Sequence, residues 1–408
     1  MLKVFRYIYL TFILLGYMIE FPIYSGLTTR RLVIAIAIST LLFRVEDCRK
    51  IISLMHFEKI KMSVFLLSLC GFITYLHHIN SFTRSAYGHV EYWYYFFNVI
   101  YILIFAIYCA VEFKSLKEFA IIWTSIMVLE SIVIFYAVID TSFRLFVYDY
   151  FYWGDDRFEK TIEFGSRIMG VGLHAATGSL TMSTSIMLLT YMRIKKIIPD
   201  LLYFTFTVII MSATAFIGRT GLMVEIFIAS YYILFHGHSV NKQIGGLISF
   251  FIIVAGISYV ARSSDTGYGD GLLDWMMELF YSDQREETLR GIYHNGFPPL
   301  SFDSIFGTGI TTGYNYKGVT YYPDSGYIRL WISIGIVGFF SYYIAMYDML
   351  SAPIIKNLPI DEKRYFLFCI FLSFFVEYKE PFMMKYIFPW FIMTIFLATI
   401  KEKNVINQ

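Results

Sequence analysis

Charged side chains are scarce in this chain. They make up 16% of its 408 residues, whereas soluble domains carry about 25%. So few charges cannot cover a water-facing surface, and they do not fit an intrinsically disordered chain. The net charge of +2 leaves no dominant basic surface, which excludes a nucleic-acid-binding protein.

Cysteine is also rare, with four residues in the chain. Cys70, Cys109 and Cys369 fall within apolar stretches, and Cys48 falls in a predicted cytoplasmic loop. No cysteine lies in a predicted external loop, so we expect no disulfide and exclude a secreted disulfide scaffold. The sequence contains no Cys-x-x-Cys and no histidine-rich pattern. We therefore expect neither a metal site nor a cofactor.

Apolar residues are abundant instead. They make up 57% of the chain, aromatic residues alone 20%, and the mean hydropathy is +0.60. Since about 20 apolar residues span a bilayer as a helix, we predict an all-α polytopic membrane protein. The first apolar segment lacks a small-residue cleavage site, so we interpret it as a retained helix. The twelve predicted spans lie near 4–22, 31–43, 62–77, 93–112, 119–139, 168–192, 200–217, 219–236, 244–261, 326–348, 364–378 and 383–400.

The distribution of Lys and Arg predicts the orientation. Short loops that carry Lys and Arg mark the cytoplasmic side, and twelve spans then place both termini there. On the cytoplasmic side we count 13 Lys and 5 Arg, and on the external side 4 Lys and 11 Arg. Because the planar guanidinium group of Arg binds phosphate through two hydrogen bonds, the arginine-rich external face suits an anionic ligand. The alternative is that these Arg residues reach for lipid headgroups.

Two predicted external loops are long enough to hold structure. The smaller covers about 140–167 and the larger about 262–325. In the larger loop, apolar residues between Leu272 and Phe280 recur at helical spacing. We therefore expect two or three helices lying on the membrane surface. A short external turn at Glu377, Lys379 and Glu380 is expected to be solvated.

Four motifs combine glycine with polar residues at the predicted external ends of spans. An Arg at membrane depth is costly and usually faces a polar cavity, and the small residues allow backbone or ligand to approach closely. The motifs are Arg167-Ile168-Met169-Gly170, Gly218-Arg219-Thr220-Gly221, Phe306-Gly307-Thr308-Gly309, and Tyr322-Pro323-Asp324-Ser325-Gly326 with Arg329 and Gly335-x-x-Gly338 behind it.

This ordered set resembles the O-antigen polymerase (Wzy) family, within the O-antigen polymerase and ligase superfamily. The resemblance covers about residues 160–345. It implies a glycosyltransferase of the C-type membrane class that joins glycans carried on undecaprenyl diphosphate at the periplasmic face, without a metal. Ligases of the superfamily carry a His-Asn pair where this chain has Asp324-Ser325, and its own His294-Asn295 comes before Phe306. That difference favours a polymerase.

The chemistry implied by the resemblance assigns roles to single residues. The leaving diphosphate needs charge neutralisation, which Arg residues supply, and Arg167, Arg219 and Arg329 are the candidates, with His174 facing the same cavity. The acceptor hydroxyl needs a base. Asp324 is the first candidate base and His294 the second.

Each residue also has a structural interpretation. Arg167 and Arg329 could anchor to headgroups, Arg219 could form a buried pair, and His174 could be a satisfied histidine inside the helix bundle. Asp324 could cap the following helix within a Pro-Asp-Ser-Gly turn. Two glutamates inside predicted spans, Glu130 and Glu225, are expected to bond to neighbouring helices.

Three functions fit the sequence as a whole. The first is a polymerase in the bacterial inner membrane that takes an undecaprenyl-diphosphate-linked donor and acceptor, with a chain-length regulator and a flippase as possible partners. The second is a ligase-type glycosyltransferase. The third, of another class, is a lipid-linked oligosaccharide flippase. Flippase-type transporters tend to show repeats and short loops, whereas this chain has one long external loop and no visible repeat.

The orientation can be tested with alkaline phosphatase, which is active only outside the cytoplasm. The positive-inside distribution predicts an active fusion after Gly291 and an inactive fusion after Lys196. The measurement is phosphatase activity normalised to the amount of fusion protein. The reverse pattern would contradict both the topology and an external active site.

Overall fold

The structure of the protein is a computed structural model, which describes the larger part of the chain. The described residues are 2–19, 22–24, 27–54, 94–152, 168, 170–171, 175–236, 299–308, 314–316, 319–321 and 325–379, with scattered positions in 61–76, 245–259 and 391–399. They fall into two compact units. The first unit comprises Met1–Ala37 and Phe113–Tyr281, and the second comprises Ile38–Glu112 and Ser282–Gln408.

Helices dominate the described part of the chain. In chain order the elements are α1 (Leu2–Met18), β1 (Pro22–Tyr24), β2 (Leu27–Thr28), α2 (Thr29–Phe43), α3 (Val45–Leu54), α4 (Tyr94–Glu112), α5 (Leu116–Ile139), α6 (Thr141–Tyr152), α7 (Ala175–Ile194), α8 (Asp200–Ile217), α9 (Arg219–His236), α10 (Phe302–Phe306), β3 (Tyr314–Tyr316), β4 (Val319–Tyr321), α11 (Gly326–Asn357) and α12 (Ile360–Glu377). The bounds of α8 and α9 coincide with two predicted spans.

Three of the described helices are long and apolar enough to cross a membrane. They are α5, α8 and the Gly326–Ser351 part of α11. Shorter apolar helices cover Val4–Met18, Val99–Glu112 and Thr220–His236. The chain is therefore a helical membrane protein, and the count of twelve spans stays a prediction.

Two short antiparallel hairpins lie between helices in the described part of the chain. One pairs β1 with β2, and the other pairs β3 with β4 in the register Tyr314 to Tyr321 and Tyr316 to Val319. The second hairpin falls in the predicted loop 262–325, for which we expect two or three surface helices. The surface helices predicted around Leu272–Phe280 lie outside the described residues. The loop 140–167 begins with the twelve-residue helix α6.

Helix α7 forms the centre of the first unit, where it packs against α9, α8 and α5. Its buried positions are rich in small hydroxyl side chains, which let neighbouring backbones approach closely. Several of these hydroxyls bond to carbonyls of their own helix, as when Thr181 donates to Thr177 O at 2.8 Å and Ser183 to Leu180 O at 2.7 Å. Trp123 on α5 donates from its indole to Thr184 Oγ1 at 3.1 Å.

The start of α5 is fixed by a Ser-x-x-Glu sequence, the pattern of a helix N-terminus. Ser115 accepts the Glu118 amide at 3.1 Å, and the Glu118 carboxylate accepts the Lys114 amide at 2.7 Å. The same carboxylate receives both Nε and Nη2 of Arg6 on α1, at 2.9 and 3.1 Å. This two-pronged ion pair ties the first helix of the chain to α5.

In the second unit, α10 packs on α11 and α11 packs on α12. Helix α11 is interrupted at Gly335, whose φ of 71° and ψ of 174° are not helical. The Phe306-Gly307-Thr308 motif docks at this interruption, where the amide and the hydroxyl of Thr308 both donate to Ile332 O at 2.9 Å. The carbonyl freed by the broken helix thus gains new donors, as a membrane interior requires.

Glycine is required on both sides of this contact. Gly307 has a φ of 88°, and a Cβ there would lie 2.5 Å from Ile334 Cα. A Cβ on Gly335 would overlap the Ile305 carbonyl oxygen and lie 2.6 Å from the Gly307 nitrogen. The Phe306-Gly307-Thr308 part of the motif and Gly335 of α11 therefore form one interlocking contact.

We expect Gly335→Ala to lower the free energy of unfolding by at least about 2 kcal/mol, because an L-residue is strained at this backbone geometry and its Cβ meets backbone atoms. Gly245→Ala is the matched control, since a Cβ at Gly245 meets nothing within 4 Å. The measurement is the melting temperature of both purified variants in detergent. Equal melting temperatures would contradict the interlocking contact.

Candidate functional site

The Gly218-Arg219-Thr220-Gly221 motif forms an almost loopless junction between two helices. Helix α8 ends at Ile217, Gly218 alone is non-helical, and α9 begins at Arg219. The Gly218 amide donates to Thr214 O at 3.0 Å and closes the last turn of α8. This confirms the expectation that two apolar helices meet here with no intervening loop.

The last glycine of the motif is a packing residue. The Gly221 amide donates to Ser179 Oγ on α7 at 3.2 Å. A Cβ on Gly221 would overlap the backbone carbon and oxygen of Ser179. Glycine therefore lets the start of α9 lie directly on α7, and this contact fixes the level at which Arg219 begins its helix.

A buried polar contact closes the base of the junction. Glu225 on α9 is fully buried, and its Oε1 lies 2.8 Å from the hydroxyl of Thr214 on α8. The same hydroxyl lies 2.9 Å from Ile210 O. The sequence expectation that Glu225 bonds to a neighbouring helix is confirmed. Its Oε2 has no partner in the described part of the chain.

The segment that follows Arg167 meets this junction through its backbone. Ile168 is fully buried, and its amide donates to Phe216 O at 3.1 Å. Phe216 lies in the last turn of α8, where carbonyls have no partner within the helix. The structure thus brings the backbone of Ile168, within the Arg167-x-x-Gly170 motif, against the helix end that precedes Arg219.

A second buried glutamate supports the same segment. Glu130 on α5 is 7% exposed, and its carboxyl accepts a hydrogen bond from the Val171 amide. A Cβ on Gly170 would overlap Glu130 Oε1 and lie 2.7 Å from its Cδ. The partner of Glu130 is therefore irregular backbone, whereas the sequence suggests a neighbouring helix.

The predicted site residues divide between the two units. Arg219 is the first residue of α9 in the first unit. In the second unit, Arg329 lies in the first turn of α11 with a half-buried side chain, and its amide donates to Ser325 O at 3.0 Å. Ser325 occupies the N-cap position of α11, which the alternative interpretation gives to its neighbour Asp324. Four predicted residues lie outside the described ranges: Arg167, His174, His294 and Asp324.

Glu377 is a site-like residue that sequence reasoning misjudged. The expectation of a solvated turn is wrong for it, because Glu377 is fully buried at the end of α12. Tyr343 on α11 donates to its Oε1 at 2.9 Å, and Tyr327 packs on the Tyr343 ring at a centroid distance of 5.1 Å. A tyrosine ring can be buried while its hydroxyl donates a hydrogen bond to a carboxylate. Tyr343 was therefore the residue in the sequence that could have indicated a buried Glu377.

No group of three or more His, Cys, Asp or Glu side chains in the described ranges is arranged to hold a metal ion. Comparison with known proteins finds no matching family model, no matching characterised protein and no matching solved structure. The functional conclusion therefore depends on the motifs and on the contacts between them.

Thr214→Val should destabilise the protein by about 1–3 kcal/mol, because Glu225 would keep its burial and lose its hydrogen-bond donor. Thr181→Val is the matched control, since among the described residues the Thr181 hydroxyl bonds to Thr177 O of its own helix. We expect the control to stay close to wild type in thermal unfolding in detergent. Equal losses in the two variants would show that Thr214 contributes nothing beyond its helix.

Proposed function

We propose that this protein polymerises oligosaccharide repeat units carried on undecaprenyl diphosphate, at the periplasmic face of a bacterial inner membrane. The product is O-antigen or a related surface polysaccharide. The reaction is a metal-independent glycosyl transfer between two lipid-linked substrates. A chain-length regulator and a flippase are its expected partners in the membrane.

One observation carries this proposal: the two arginine motifs of the first unit meet through the bond from Ile168 to Phe216 O. Phe216 lies three residues before Arg219, and Ile168 directly follows Arg167. Two motifs that are distant in sequence therefore share one end of the helix α8. Guanidinium groups supplied from such a position can neutralise a diphosphate by paired hydrogen bonds, as glycosyl transfer without a metal requires.

The acceptor side of the reaction is assigned to the start of α11. The acceptor hydroxyl oxygen forms a bond to the anomeric carbon of the donor, and the bond from that carbon to the diphosphate oxygen breaks. The diphosphate leaves with the electron pair, and the hydroxyl proton passes to the base. Asp324 is the proposed base, with His294 second, and Arg329 is the proposed cation nearest to Asp324 in sequence.

Two other functions make different demands on the same motifs. A ligase transfers finished chains, and it is disfavoured by Asp324-Ser325 in the place of a His-Asn pair. A flippase moves lipid-linked units without joining them. Loss of a flippase leaves no repeat units outside the cytoplasm, whereas loss of a polymerase leaves single units on the final acceptor.

The test is a strain in which the gene is deleted, complemented with variants. Deletion should abolish long chains and leave single repeat units. Arg219→Lys should restore less than a tenth of the long chains, because a point charge cannot form the paired hydrogen bonds of a guanidinium group; that loss of about tenfold or more matches the energy of a charged hydrogen bond. The measurement is chain length by gel electrophoresis, normalised to protein in the membrane.

Arg364→Lys is the control for this experiment. Arg364 is exposed on α12, and its side chain lies 4.0 Å from Asp361, so exchanging one cation for another there should leave the polymer unchanged. Full chain length with Arg219→Lys would reduce Arg219 to a replaceable positive charge. Normal polymer in the deletion strain would exclude polymerisation altogether.

A further inference from the structure

A stretch of non-helical backbone lies next to Glu130 in the first unit. Ile168, Gly170 and Val171 are not helical, and Gly170 contacts the carboxyl of Glu130. Glu130 lies about 13 Å along the axis from Ile139, the last residue of α5, at about 1.5 Å per residue. Non-helical backbone at that level of a membrane protein needs partners from the protein, because lipid supplies none.

Glu130 meets that need at one end of the segment. Its carboxyl accepts the Val171 amide, and its other oxygen, Oε1, has no hydrogen-bond partner in the described ranges. Oε1 instead lies against Gly170, at a distance that leaves no room for a Cβ. The glycine of the Arg-x-x-Gly motif is therefore explained by the carboxyl beneath it.

The other end of the segment is bound to the junction that carries Arg219. The Ile168 amide donates to Phe216 O, and Ile168 itself is fully buried. The three described residues thus connect α5 on one side with the last turn of α8 on the other. Val171 lies three positions after Ile168, so the hold on Val171 bears on the bond between Ile168 and Phe216.

We propose that Glu130 is a positioning residue, which holds the Ile168–Val171 segment and thereby the end of α8 from which Arg219 starts. It acts through the backbone and contacts no substrate. Its effect on polymer formation rests on the proposed function, whereas its hold on the segment does not. The two claims can therefore fail separately.

Substitutions at Glu130 separate the carboxyl's shape from its charge. Glu130→Gln keeps a carbonyl oxygen that accepts the Val171 amide, and the oxygen it replaces accepts no hydrogen bond. Glu130→Leu keeps the volume and leaves the Val171 amide without its acceptor. A positioning role predicts rescue by Gln and loss with Leu. A carboxylate that binds substrate or takes its proton predicts loss with both.

The first measurement reports on the segment alone. Ile168→Cys is placed in a protein whose four cysteines, Cys48, Cys70, Cys109 and Cys369, are replaced by alanine, and maleimide labelling is followed in membranes. Labelling should be slow with Glu130 and with Gln, and about tenfold faster with Leu, which corresponds to the loss of one hydrogen bond. Glu118→Leu is the matched control: Glu118 is a second buried glutamate of α5, its partners are Arg6 and Lys114, and its loss should leave this rate unchanged.

The second measurement is polymer length in the deletion strain, normalised to folded protein and with the native Ile168 and cysteines. Gln should give near-normal chains and Leu at least tenfold less polymer. Unchanged labelling with Leu would overturn the hold on the segment. Faster labelling with normal polymer would overturn the link to Arg219, and loss with Gln would assign Glu130 to the substrate. If the deletion strain still polymerises, the proposed function fails and labelling alone decides the role of Glu130.

Discussion

Every backbone polar group inside a membrane protein must find its partner within the protein, and this constraint explains two of the helix ends described above. Where α8 ends, the Phe216 carbonyl receives the Ile168 amide. Where α11 is interrupted, the Ile332 carbonyl receives two donors from Thr308. Two of the motifs recognised in the sequence, at Gly218 and at Phe306-Gly307-Thr308, lie where a helix ends or is interrupted and its backbone is satisfied from elsewhere. Their glycines follow from the close approach of backbone to backbone.

Much of the helical architecture was predictable, because a stretch of about 20 apolar residues is expected to form a membrane-spanning helix. The bounds of α8 and α9 and the loopless junction at Gly218 follow directly from apolar runs that meet at a glycine. The interruption at Gly335 did not follow. Nothing in the local sequence distinguishes this glycine from Gly338, and the difference comes from a segment that docks on it from about thirty residues earlier in the chain.

The candidate site was predictable in its residue types and not in its contacts. Glu130 and Glu225 stand out in the sequence as acids among apolar residues, yet their partners differ in kind. Glu225 pairs with Thr214 across the junction at Gly218, from which the two residues lie seven and four positions away on adjoining helices, so this contact is local in sequence. Glu130 binds irregular backbone, which no periodicity reveals. Glu377 looked solvated because its burial depends on Tyr343, a residue on another helix.

The ion pair between Arg6 and Glu118 has a consequence for synthesis. The first unit combines Met1–Ala37 with Phe113–Tyr281, and Ile38–Glu112 belongs to the second. Helix α1 leaves the ribosome long before its partner carboxylate on α5 does, since 112 positions separate the two residues. Arg6 on α1 therefore enters the membrane before Glu118 has been synthesised, and Ile38–Glu112 of the second unit is inserted in between. The first unit is consequently completed by a late contact, and its assembly cannot proceed strictly from the amino terminus onward.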